Sequence, residues 1–163
     1  MSRRRRPSSP GIQTFTNGLT YDSTAILEWE LIGNTLGTAG TDFDQVVLTA
    51  GDLTIDSSAE IDLVMNRAES TVDWSDSFWD SVRSWLVVDF QSAGTSSGVF
   101  GPGTLSADSL GQSLSSVRSD ASFSVSRNED DIQLDYVAVP EPAFLVLFGL
   151  TGSSLLLLYR RLL

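Results

Sequence analysis

The sequence predicts a mainly β protein: a parallel β-solenoid (β-helix) body with one short helix, then a single C-terminal transmembrane helix. An antiparallel β-sandwich is the alternative. Three observations lead there. Apolar and polar residues alternate in short runs, the period of half-buried strands. Gly, Asp and Ser turns separate those runs, with Val, Ile and Leu inward and Thr, Ser and Asp outward, a pattern that suits coils or a sandwich. Near the end, residues 143–159 carry no charge at all.

Taken in order, "TAILEWELI" sets Leu27, Trp29 and Leu31 on a buried face, with Ile26, Glu28, Glu30 and Ile32 outward. In "QVVLTAGDLTID", Val46 and Leu48, then Leu53 and Ile55, flank a turn at Ala50-Gly51-Asp52. "AEIDLVMN" points Ile61, Leu63 and Met65 inward against Glu60 and Asp62. The period then changes. Phe78, Val82 and Leu86 fall four apart, and Ser77 with Asp80 has the form of a capping box. That predicts one or two helical turns over Ser77–Ser84, followed by a strand through Trp85–Phe90. Glycines punctuate 92–122, leaving room for short strands only. Finally, Phe123 and Val125 face Ile132, Leu134 and Tyr136 across a turn at Arg127–Asp130, a hairpin or a sharp coil.

Three segments follow: a basic disordered start over 1–10, a β-rich ectodomain over 11–138 and a C-terminal signal over 139–163. The chain's 163 residues suffice for one domain with a core. Between Pro7 and Val139 four arginines face twenty acidic residues, a net charge of about −16. Such a field repels phosphate backbones, so nucleic acid is not an expected partner. There is no cysteine and no histidine. That excludes disulfides, thiolate chemistry, the Ser-His-Asp triad and the usual zinc sites. No phosphate loop, nucleophile elbow or dinucleotide fingerprint occurs either. The expectation is a non-enzymatic protein. "MSRRRRPSS" begins like a secretory signal but has no apolar run after it, so an exported chain would have its export signal elsewhere, as in a C-terminal fragment.

Two constellations could bind something. In "GTAGTDFDQ", Asp42 and Asp44 follow glycines, and a hard cation wants several oxygens on a tight backbone. The segment resembles the nonapeptide calcium-binding β-roll repeat at Gly37, Gly40 and Asp42 only. Thr38 replaces a glycine, and Asp44 stands where the repeat has an apolar residue. Calcium is the one cofactor it suggests; a polar turn is the plainer reading. Trp74, Trp79 and Trp85 cluster in one stretch, where aromatic rings either plug a core or stack on glycans.

The tail is the most specific feature. A helix over 143–159 would span about 25 Å, close to the thinnest bilayer core. Arg160 and Arg161 after it would stay cytoplasmic, and Tyr159 suits the interface. Val139, Pro140, Glu141 and Pro142, an apolar run and a terminal arginine pair together resemble the PEP-CTERM sorting signal, over the last 25 residues. The resemblance implies recognition by an exosortase, a membrane enzyme thought to act near Pro140-Glu141-Pro142, and a surface or exopolysaccharide-associated role. It also implies a membrane-held chain with the body on the exported side, at the surface or extracellular after processing. More loosely, "LEWEL", "FWDSVRSWLVVDF" and "ASFSVSRNEDDIQLDY" are similar to the C-terminal part of autotransporter-repeat-like surface proteins. Three readings follow: a non-enzymatic surface or matrix protein, a carbohydrate-binding module, and, third, a secreted hydrolase.

Overall fold

A computed structural model describes residues 9–138. The chain makes three successive passes, and each pass contributes one strand to each of three sheets. The first pass is β1 (Ile12–Phe15), β2 (Leu19–Tyr21) and β3 (Ile26–Glu30). The second is β4 (Gln45–Leu48), β5 (Leu53–Ile55) and β6 (Glu60–Val64), and the third is β7 (Arg83–Phe90), β8 (Ser96–Ser97) and β9 (Gly101–Leu105). Strands from successive passes pair in parallel, so that Phe15, Leu48 and Phe90 stand in one row and Trp29, Leu63 and Leu105 in another. The inward alternation fills one core with Leu27, Trp29, Leu48, Leu53, Ile61 and Leu63. The chain turns each corner with tight backbone. Gly51 adopts φ +81°, and a Cβ there would strike the backbone of Gly18 in the pass below.

After β9 the pattern changes. A single helical turn, α1 (Leu114–Val117), is capped by the Ser113 hydroxyl accepting from Ser116 N–H at 3.2 Å. Then β10 (Ser122–Asn128) and β11 (Asp131–Val137) form an antiparallel hairpin. β11 also pairs antiparallel with β7, giving a five-stranded sheet in the order β1-β4-β7-β11-β10.

These pairings correct the expected fold class. A parallel β-solenoid filling 11–138 is not what forms, because the largest sheet is mixed and the last segment is an antiparallel hairpin. Mixed sheets layered over a shared core lie nearer the sandwich-like alternative, although the pairing between passes is parallel rather than antiparallel. The membrane placement is corrected too: among the described residues no helix is long and apolar enough to cross a membrane. The expected transmembrane helix, 143–159, lies outside the described residues.

Local expectations change for physical reasons. The predicted helix over Ser77–Ser84 shrinks to a 3₁₀ turn at Ser77–Asp80, and its cap is Asp76, whose carboxylate accepts from Phe78 N–H at 2.7 Å. β7 then begins earlier than Trp85, at Arg83. The hairpin tightens, with only Glu129 and Asp130 outside the strands and Glu129 at φ +55°. Ala50–Asp52 turns the chain as expected, and it joins strands of two different sheets.

Candidate functional site

The aromatic cluster is a plug inside the core. Trp74 and Trp79 are fully buried, and Trp85 is 2% exposed. Trp79 sits at the centre, with ring centroids 4.7 Å from Trp74, 6.0 Å from Trp85 and 4.9 Å from Tyr136. Mostly tilted and edge-on geometries suit the ring quadrupoles. Each indole N–H is already spent, on Gln112 O (3.1 Å), Asn34 Oδ1 (2.9 Å) and Thr35 O (3.0 Å) respectively. Arg118 clasps the loop that carries them. Its guanidinium donates to Trp74 O (2.5 Å), Asp76 O (2.9 Å) and Trp79 O (3.2 Å) and pairs with Asp80 at 2.9 Å. With so little surface exposed, these three rings form no stacking platform for a glycan.

Asp42 and Asp44 come close in sequence but serve different turns. Asp42 Oδ2 accepts from Thr38 N–H at 2.6 Å, closing the loop that begins at Gly37. Asp44 is buried, and its carboxylate accepts from Gly11 N–H at 2.7 Å and Glu30 N–H at 3.2 Å. Both Asp44 oxygens and Oδ2 of Asp42 are therefore engaged by backbone N–H groups. Among the described residues no group of three or more acidic side chains is placed to hold a metal ion.

The same region holds a group that alternation assigned to solvent. Glu30 is only 4% exposed, because the 42–44 segment lies across its strand, and its Oε1 has no hydrogen-bond partner. Burial first, then the Asp44 carboxylate, then Glu69, push its carboxyl up to about 7. Two neighbouring carboxyl groups, one of them pushed up by burial, invite comparison with a glycosidase pair. Neither, however, lines the cleft described next.

That cleft lies between β9 and β10 and has a volume of about 340 Å³. Its presence follows from the sequence of β9, Gly-Pro-Gly-Thr-Leu. Pro102 cannot donate to a further strand and belongs at an edge. The register with β6 shifts between Ile61 and Leu63, where Asp62 Oδ1 accepts from Thr104 N–H (2.7 Å) and Oγ1 (2.8 Å). Thus β9 ends its sheet as β10 ends the other, and among the described residues no strand pairs with either outer edge. Arg127 pins the far end of β10 by donating to Ser96 Oγ and Gly98 O. At the near end the strands stay apart, and the gap opens onto core residues Ile61, Leu63, Phe100 and Leu134. Phe123, Val125 and Leu105 form its walls and mouth, so the surface it offers is mainly apolar. No run of residues announced this cleft, although Pro102 within the glycine-rich stretch of β9 was a sign of an edge.

The sorting residues Val139, Pro140, Glu141 and Pro142, with Tyr159, Arg160 and Arg161, lie outside the described residues. No family model, curated protein or solved structure matches the chain.

Proposed function

We propose that this chain is a non-enzymatic binding module whose site is the cleft between β9 and β10. The cleft carries the proposal: an opening of about 340 Å³ that leads straight onto the core, flanked by two strand edges that no strand pairs with among the described residues. A concave, mainly apolar site with a few polar groups is the usual form of a ligand pocket. Its ligand presents an apolar group to Leu63, Phe123 and Val125. A bare polysaccharide fits less well, since the indole rings that would stack on sugars are buried. The absence of histidine and cysteine, and the placement of Glu30 and Asp44 away from the cleft, support a role without catalysis.

The test is titration of the full chain with Nile red, a neutral apolar probe, and separately with oligosaccharides of an exopolysaccharide. Leu105 is 37% exposed at the mouth, so Leu105→Arg blocks the opening without disturbing the core. Saturable dye enhancement lost in that variant is the expected result. Enhancement unchanged by Leu105→Arg, or saturable sugar binding unaffected by it, contradicts the proposal.

The order of Val139-Pro140-Glu141-Pro142, apolar run and arginine pair supports a second reading, that this motif is handled by an exosortase. C-terminal mass spectrometry of the mature protein tests it. A new C-terminus near Pro140–Pro142 is expected, and an intact Leu163 contradicts it.

A further inference from the structure

Among the described residues, the strands at the margins of the three sheets are β1 and β10, β2 and β8, and β3 and β9. All but β10 are short or blocked. β1, β2 and β8 have four, three and two residues. The outer side of β3 is crossed at its end by the 42–44 segment, where Asp44 N–H donates to Glu30 O and Ile32 N–H to Asp42 O, both at 3.0 Å. β9 contains Pro102, which has no N–H, and its Thr104 N–H is already spent on Asp62 (2.7 Å). β10 is different. It runs seven residues, Ser122–Asn128, in unbroken register with β11 and without proline. Its one charged side chain, Arg127, is drawn to the pinned end. A long unprotected edge invites a further strand.

The hairpin register says which groups face outward. Only Glu129 and Asp130 separate the strands, so Asn128 and Asp131 close the turn as a hydrogen-bonded pair. Every second pair repeats this, Ser126 with Gln133 and Ser124 with Asp135. The N–H and C=O groups of Phe123 and Val125 therefore point away from β11, along the cleft. Among the described residues no strand meets them, and their side chains line the cleft wall.

We propose that the ligand is an extended peptide that pairs with β10, an inference that rests on the cleft being the binding site. Peptide residues opposite Phe123 and Val125 exchange main-chain hydrogen bonds with them, and cross-strand partners share a face. Their side chains are thus sent inward, toward Leu63, Phe100 and Leu134, so both are apolar. The peptide residue between them lies beside Ser124, on the exposed face. Asp135 is the β11 partner of Ser124, and Asp62 holds Thr104 on the β9 side. Those two carboxylates, in a strongly acidic body, favour lysine or arginine at the middle position. The partner is therefore an apolar-basic-apolar segment added to a sheet edge.

Isothermal titration of the full chain with the blocked peptide acetyl-Thr-Leu-Lys-Leu-Thr-amide tests this, and saturable binding is expected. N-methylation of the two leucine nitrogens removes two donors to β10 and weakens binding by about tenfold or more. Glutamate in place of the lysine weakens it by about threefold at low salt, and less as salt is added. Val125→Pro removes an N–H that faces outward, so the hairpin keeps its own bonds while peptide binding is lost. Nile red binding sensitive to Leu105→Arg, without any peptide binding, overturns the peptide assignment and leaves the cleft reading standing. Loss of both removes the cleft as a site. Equal affinity for the N-methylated peptide also overturns it, whether or not the Val125→Pro chain folds. A dimer of the full chain that Val125→Pro abolishes assigns the edge to a second copy and overturns it too. So do Phe123 and Val125 amides already protected from exchange in the free monomer, which assign the edge to another segment of the chain.

Discussion

Replacing Arg118 tests whether the aromatic plug depends on one side chain. The guanidinium satisfies three carbonyls of the 74–79 loop, and the Arg118 side chain is only 19% exposed. The three bonds are not equal. Trp79 O also accepts from the Tyr136 hydroxyl at 3.0 Å, and Asp76 O from Trp79 N–H at 3.1 Å, so each keeps a partner when Arg118 is lost. Trp74 O depends on Arg118 most, through the shortest of the three bonds. A hydrogen bond to a charged donor is worth roughly 1.5–3 kcal/mol, and losing a buried partner falls in the same range. The Asp80 ion pair adds little, since Asp80 is 61% exposed. Arg118→Met therefore destabilises by about 3 kcal/mol, dominated by Trp74 O. Arg118→Lys recovers less than half, because an ammonium cannot reach carbonyls spread around a planar fork. Urea unfolding followed by tryptophan fluorescence measures both, with Asp80→Asn as a control expected to change stability by less than about 0.5 kcal/mol. A loss below about 1 kcal/mol for Arg118→Met, or full rescue by lysine, refutes the clasp.

Other outcomes follow from the same contacts. Gly98 adopts φ +77° against Ile55 O, so Gly98→Ala should lower stability by about 2 kcal/mol or more, seen as a fall in Tm. Trp79→Ala empties the centre of the plug and should cost about 3–5 kcal/mol in denaturant unfolding. Asp22, Asp52 and Asp73 are held below the usual carboxylate range by hydrogen bonds from Thr24, Thr95 and Ser75. Their depressed values add stability above the unfolded value of 3.8 that is lost as pH falls further, so a thermal-melt profile should bend downward below about pH 4. Millimolar calcium should leave the Tm unchanged, because both Asp44 oxygens and Oδ2 of Asp42 already serve backbone N–H groups.

Much of the body was legible from alternation alone. Leu27, Trp29 and Leu31, then Ile61, Leu63 and Met65, all point inward as their period requires. Glu30 departs from that rule because a loop far along the chain lies over its outward face, and period two says nothing about what covers a face. The arrangement of the passes had a signal that alternation does not use. "LTYDSTA" at 19–25 recurs as "LTIDSSA" at 53–59, and the structure pairs Leu19 with Leu53. Asp22 and Asp56 then make the same turn, each accepting from the N–H two residues on. The third pass lost this repeat: Ser96 and Ser97 stand where the earlier passes place Leu-Thr. β1, β2, β8 and β9 were hidden for a related reason, being short and rich in Thr, Ser and Gly. Trp29 follows its period inward, and a core plug is the plainer reading of Trp74, Trp79 and Trp85, as their burial bears out; their spacing shows that the rings are neighbours without showing what lies above them. The cleft was hidden because it depends on β9 and β10 meeting without pairing, a fact about two strands distant in the chain.

The claim that the gap between those strands is a binding site is tested most directly by amide chemical shifts. The full chain, labelled with ¹⁵N, is titrated with a short-chain neutral amphiphile below its micelle concentration. The binding account predicts saturable shifts at Gly103, Thr104 and Leu105 and at Phe123, Ser124 and Val125, with the indole N–H signals of Trp74 and Trp79 unmoved. Shifts spread evenly over the surface, or shifts that leave the cleft amides in place, would contradict it.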